Sequence, residues 1–280
     1  LPAVLSLVVA LIMMVPGLAG SDRRELAEPP PGGARVEILD VGQGDAILIR
    51  PSGSDPILID GGPPGGDLPG ALDSAGVDRL EAVLLTHPDL DHYGGLAGIF
   101  GLLPVGRFLY DQATPELIAL ARRSGAKPER VGEGTVLGTR ELRLEILWPP
   151  ARDSGDRTAG EESETNLRSI VALLSWHGFR LLLTGDAEAG SVPMHPGPLD
   201  VLKVAHHGSE DTGLPALLRE TSPRLAVIPV GEDNRFGHPV DQVLDDLAAS
   251  RVKALRTDRD GTVSIVLGAD DGGFRVETGK

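Results

Sequence analysis

The chain has 280 residues, 41% of them hydrophobic, enough to bury the core of one large domain or two small ones. It contains no cysteine, which excludes disulfides, thiolate metal sites and cysteine nucleophiles. A formal charge of −15 argues against extended, phosphate-led binding of nucleic acid by the chain alone, although a small site where divalent ions meet a phosphate is compatible with it.

Residues 1–20, LPAVLSLVVALIMMVPGLAG, carry no charge. As a helix they would span about 30 Å, the thickness of a bilayer core, and Pro16 with the glycines after it suits a helix end. A transmembrane helix over 1–20 is the expectation. A signal peptide and a buried core helix are the alternatives. Residues 21–33, SDRRELAEPPPGG, read as a polar linker that ends in a stiff proline run.

From Ala34 the pattern changes to short strands. RVEILD (35–40), DAILIR (45–50) and PILID (56–60) are separated by Gly-rich turns. A helix near 67–76, a strand at 80–85 and a helix from about 91 to 102 follow. GRFLY (106–110) and TPELIALARRSG (114–125) continue the alternation of strand and helix. RELRLEILWP (140–149), LRSIVALLSW (167–176) and FRLLLTGD (179–186) read as consecutive antiparallel strands, with His177 and Gly178 at the last hairpin turn. Residues 150–165 read as a mobile surface loop. LDVLKVA (199–205), TVSIVLG (262–268) and FRVET (274–278) are further strands. Two sets of strands with helices interspersed predict a sheet sandwich flanked by helices.

Candidate ligands stand where strands end: Asp60, His87, Asp186 and His206. THPDLDHYGG (86–95) alone supplies His87, Asp89, Asp91 and His92. Imidazole and carboxylate donors together suit Zn²⁺, Mn²⁺ or Fe²⁺ more than Mg²⁺ or Ca²⁺. LLLTGDAE offers Asp186, which could bridge two ions, and VLKVAHHGS offers His206 and His207. Gly94 and Gly95 would let backbone or substrate approach closely. Each piece has a plainer explanation. Asp89 or Asp91 could cap the following helix, Asp186 could serve a turn, and the two histidines could be polar residues closing a strand. Three such clusters in order, each after an apolar strand, favour a metal site.

In sequence order, His-x-Asp-x-Asp-His, Thr-Gly-Asp and His-His-Gly-Ser resemble the metallo-β-lactamase superfamily. The usual first motif there is His-x-His-x-Asp-His; Asp89 stands in place of its second histidine. With LDVGQGDAILI (39–49), LIDGG (58–62) and HHGS (206–209), this variant resembles the C-terminal domain of ComEC-type competence proteins. Those are polytopic membrane channels that import single-stranded DNA. The resemblance covers roughly residues 34–278, and 1–20 would be the last membrane helix before the domain.

The resemblance implies an α+β fold, an αββα sandwich, holding two divalent ions. His87 and Asp89 would bind one ion, Asp91 and His92 the second, Asp186 would bridge them, and His206 would complete a ligand set. Asp60 would accept a hydrogen bond that orients a ligand histidine. Asp91, His207 and His238 would take part in catalysis, His207 by contacting phosphate or donating a proton. Asn166 stands where the superfamily usually has a histidine; its carbonyl is a weaker, neutral ligand. This oxygen-rich set favours Mn²⁺ over Zn²⁺. Lys203, Ser209 and the backbone around Gly208 would position a phosphate.

The function implied is a membrane-linked nuclease that degrades the strand not imported during DNA uptake. Its partners would be DNA, the membrane, the channel part of the same protein and other competence proteins. The domain would face outward from the cell membrane, although Arg23 and Arg24 alone would favour the cytoplasmic side. A hydrolase of small phosphoesters or esters is one alternative, since a fold alone does not choose a substrate. A metal-binding or DNA-guiding domain without turnover is another.

Overall fold

The structure is a computed structural model that describes residues 26–139, 141–151, 162–269 and 272–280. The expected membrane helix 1–20 lies outside the described residues. Among those described, no helix is long and apolar enough to cross a membrane.

The first sheet opens with β1 (Ala34–Ile38), β2 (Ile47–Pro51) and β3 (Ile57–Ile59), paired antiparallel. Helix α1 (Leu68–Ser74) carries the chain to β4 (Leu80–Leu85), parallel to β3. Helices α2 (Leu90–Tyr93) and α3 (Leu96–Leu102) lead to β5 (Val105–Tyr110). Helix α4 (Pro115–Arg123) leads to β6 (Lys127–Arg130), so that β3 to β6 run parallel. β4 is almost wholly buried, which explains its unbroken apolar run.

The second sheet begins with β7 (Val136–Gly138) and β8 (Leu142–Trp148). After α5 (Glu162–Leu167) come β9 (Val171–Trp176) and β10 (Phe179–Leu183), and β7 to β10 pair antiparallel. β11 (Val201–Lys203) then joins β10 in parallel. Helices α6 (Leu214–Thr221) and α7 (Asp241–Ala249) alternate with the parallel strands β12 (Leu225–Ile228) and β13 (Lys253–Arg256). Finally α8 (Thr257–Asp260) returns the chain to the first sheet, where β14 (Val263–Leu267) and β15 (Phe274–Thr278) extend the edge beside β1.

Strand alternation separates three cores. Ile57 and Ile59 face inward against residues of the other sheet such as Leu144, Leu174 and Leu181. Leu58, between them, faces outward to Leu72, Ile99 and Leu117 of α1, α3 and α4. On the far side, Leu182 and Leu202 meet Leu217 and Leu247 of α6 and α7. Each fully buried Leu or Ile contributes about 1.5–3 kcal/mol. The layers are therefore helix, sheet, sheet, helix.

Three local expectations change. The helix from about 91 to 102 is two short helices. Residues 162–165, placed in a loop, belong to α5. The described end of the 21–33 linker packs on the domain: Leu26 N donates to Ser74 O at 2.9 Å, and the Arg50 guanidinium donates to Ala27 O at 2.7 Å.

Candidate metal centre

Four parallel strands end at one rim, two from each sheet. Asp60 follows β3 and His87 follows β4; Asp186 follows β10, and His206 and His207 follow β11. The two sheets are tied there by Ile170 N donating to Thr86 O at 3.0 Å. Ligands on strand ends inherit the stiffness of the sheets.

Asp60 is fully buried in a left-handed conformation, φ 57. Its Oδ1 accepts from Thr86 N at 2.8 Å, and its Oδ2 lies 2.8 Å from His92 Nδ1. Assigning a proton to Nδ1 leaves the His92 Nε2 lone pair facing Asp186 Oδ1, 3.3 Å away. The His87 ring is held at Nδ1 by Thr86 Oγ1 (3.1 Å) and Ser169 Oγ (3.3 Å). Its Nε2 lies 3.4 Å from Asp89 Oδ2 and 3.7 Å from Asp186 Oδ2. His207 Nδ1 donates to Pro229 O at 2.9 Å, which turns its Nε2 toward Asp91 Oδ2 at 3.3 Å.

Four buried atoms therefore converge without a hydrogen-bond partner: Nε2 of His87, His92 and His207, and Oδ1 of Asp186. Leaving such groups unpaired is costly, so their convergence suits a cation. His87, His92 and Asp186 bring donor atoms within 4.8 Å of one another, as do Asp91, His92 and His207. His92 belongs to both groups, so the donors are compatible with one or two divalent ions.

The field has the matching sign. Burial would lower the His92 pKa, yet the Asp186 and Asp60 carboxylates outweigh it and hold it well above the ordinary histidine range. Burial would raise the Asp186 carboxyl, yet the His92 and His207 charges hold it well below the carboxylate range. Burial also works to raise Asp91, and the facing His207 Nε2 together with the His92 charge more than offsets that. The same carboxylates would attract a metal cation, which must displace the protons they draw onto the histidines.

The sequence profile described as "Metallo-beta-lactamase superfamily" matches residues 39–232. The chain belongs to that superfamily. Curated relatives of this metallo-β-lactamase domain include ComE operon protein 3 of Bacillus subtilis, 29% identical over 81% of this chain and 32% of the relative. Competence protein ComA of Neisseria gonorrhoeae is 32% identical over 89% of this chain and 34% of the relative. The chain thus spans about a third of the length of these ComEC-family relatives. Among solved structures, the metallo-β-lactamase fold protein YhfI of Bacillus subtilis superposes with a TM-score of 0.56. It is 13% identical and covers 80% of this chain and 96% of that one, a likeness of fold.

Within the metallo-β-lactamase domain, His87, Asp89, Asp91, His92 and Asp186 lie together at the rim. Asp89 precedes α2 but makes no capping bond, so its carboxylate stays at the site. Asn166 lines the same cavity as Asp89, Asp91 and Asp186, and its Oδ1 is buried without a partner.

The two adjacent histidines take different positions. His207 is 1% exposed and occupies the inner position, so it is not placed to meet a phosphate first. His206, predicted as the ligand, lies on the cavity wall with its Nε2 3.8 Å from Asp186 Oδ2. Its Nδ1 bonds Glu188 Oε1 at 3.1 Å, which raises its pKa above the ordinary range. His238 lies further out, its ring centroid 5.9 Å from that of His206, and burial lowers its pKa.

Two predicted phosphate contacts are corrected. Lys203 is 0% exposed and lies behind the site, where its Nζ pairs with Asp45 Oδ2 and donates to Gly185 O at 2.7 Å. No substrate reaches it. The Ser209 hydroxyl is committed to Glu188 Oε1 at 2.5 Å. Gly94 and Gly95 admit backbone, not substrate: a Cβ on Gly95 would stand 2.1 Å from Gly61 O, and one on Gly94 2.4 Å from Pro64 N.

Asp45 and Glu188 are site residues that sequence reasoning missed. Asp45 had a signal, because a lysine inside the apolar strand VLKVA requires a buried partner. For Glu188, one turn residue among many carboxylates, there was none.

Proposed function

We propose that this domain is a metal-dependent phosphodiesterase that cuts DNA during DNA uptake, degrading the strand that is not imported. The observation that supports it most is the convergence of unpartnered donors from His87, His92, His207 and Asp186 beneath an open cavity of 820 Å³. The competence proteins among the relatives favour DNA as the substrate class. His87, Asp89 and Asp186 would hold one ion, and Asp91, His92 and His207 the other, with Asp186 between them. When bound, such a pair supplies an activated water and neutralises charge on the phosphate. Mn²⁺ is favoured over Zn²⁺ because the ligand set is oxygen-rich.

The protein's own groups prepare that chemistry. Asp60 fixes the tautomer and orientation of His92, as a carboxylate behind a metal-binding histidine does. Thr86 and Ser169 steer His87. Ser169 Oγ also accepts from Asp186 N at 3.0 Å, which sets the turn carrying the central carboxylate. His206, steered by Glu188, stands on the cavity wall where it can donate a proton to a leaving oxygen. The domain would act at the outer face of the cell membrane, next to the channel part of the same protein and with other competence proteins.

The test is cleavage of single-stranded DNA and of a small phosphodiester by the full chain in Mn²⁺, Zn²⁺ or Mg²⁺. Mn²⁺-dependent cutting of DNA supports the proposal. Turnover of the small ester with DNA left intact under every metal would establish a general metallohydrolase in its place.

A further inference from the structure

The chain has few aromatic residues, Phe 5, Tyr 2 and Trp 2. All but Phe236 are buried or half-buried. Phe236 is 68% exposed and lines the cavity over the metal cluster. Leu90, 54% exposed, lines the same cavity, and Leu167, 42% exposed, lines an adjoining one beside Asp186 and His206. Single exposed apolar residues need no explanation, but three gathered around one polar site are a patch with a place.

The Phe236 ring is braced. It lies almost parallel to the His238 ring, 8° between planes and 5.9 Å between centroids. His238 in turn lies beside His206, so the rings step from the lip down to the cluster. A flat apolar face at the edge of the cavity is suited to a stacked base. Arg235, beside it, is exposed and pairs with no carboxylate among the described residues.

Resting on the phosphodiesterase reading above, we propose that Phe236 with Leu90 forms a base-stacking lip that selects an unpaired strand. Three considerations choose a nucleobase over other occupants. A net charge of −15 denies the chain a strong phosphate grip, so affinity must come from the metal cluster and from uncharged contact. Stacking on an aromatic face accepts every base and contributes a few-fold to a few-hundred-fold in affinity. In a duplex the bases are already stacked inside, so only a single strand presents one to the lip.

The experiment uses the full chain with Mn²⁺ and fluorescent oligothymidylate, the same strand annealed into a duplex, and an abasic strand of equal length. Binding is read by anisotropy, and cleavage as KM and kcat. The lip predicts that Phe236→Ala weakens oligothymidylate binding about 5-fold or more, raises KM, and leaves kcat within about twofold. Phe236→Trp should restore both, and the abasic strand should bind the wild type and Phe236→Ala alike. The salt dependence should stay shallow. Phe236-dependent binding without cleavage would support the lip while the phosphodiesterase reading fails. Equal binding of oligothymidylate by wild type and Phe236→Ala overturns the lip. So does no binding by the wild type, an equal loss on the abasic strand, or a Phe236→Ala effect confined to vesicle or protein association.

Discussion

Lys203 has no solvent exposure, and acceptors surround its Nζ: Asp45, Gly185 O and, at 3.9 Å, Asp186 Oδ1. Removing one member of a buried pair strands the other, so Lys203→Met should cost about 3–5 kcal/mol. Urea unfolding reads that loss, and Lys203→Met with Asp45→Leu should recover part of it. Asp60 would act on a bound metal through His92, whose Nδ1 lies 2.8 Å from its Oδ2. Asp60→Ala should weaken Mn²⁺ binding roughly 10- to 100-fold by calorimetric titration, and an unchanged affinity would remove its orienting role. At this scale the local cluster was legible, since His87, Asp89, Asp91 and His92 come from one turn after one strand. The choice between His206 and His207 was not. Both take left-handed conformations, φ 48 and φ 54, each a costly backbone choice that only the surrounding fold enforces. That twist, invisible in the residue types, decides which ring turns inward.

Loops packed against loops position the motif. Gly44 is held at φ 139 in the connection before β2, and a Cβ there would stand 2.0 Å from Asp91 O. Gly44→Ala must push the carbonyl of Asp91 away, so it should lower metal occupancy while far-ultraviolet dichroism stays native. Gly98→Ala is the control, because nothing lies within 4 Å of its Cβ position; in α3 it should be neutral or stabilise by up to about 1 kcal/mol. Most strands were legible because inward and outward residues alternate or the whole strand is apolar. β6 and β7 were not. KPER is an edge strand of polar residues with a proline, tolerated only where one side lacks a partner. VLG is three residues long. The single helix expected over 91–102 divides where Gly95 N bonds Gly62 O at 3.1 Å and His92 O accepts from Gly61 N at 2.6 Å, tertiary contacts that helical periodicity does not encode.

At the scale of the molecule, two sheets each deliver two strand ends to a single rim, and the donor groups His87, His92, Asp186 and Asp91, His92, His207 each draw on both sheets. His87 and His92 come from the first sheet and its following helix; Asp186 and His207 come from the second. The sandwich was legible from the two runs of strands, while the return of β14 and β15 to the first sheet was not. The apolar sequence of residues 1–20 predicts that the full chain partitions into detergent and that removing those residues abolishes it, as phase separation would show. The central claim is that the cluster joined by Asp186 holds divalent ions. Elemental mass spectrometry of the full chain, equilibrated with Mn²⁺ and dialysed, measures this directly. About two ions per wild-type chain are expected, with loss of that content in Asp186→Asn while the fold stays intact. An unchanged metal-to-protein ratio in Asp186→Asn would contradict that claim.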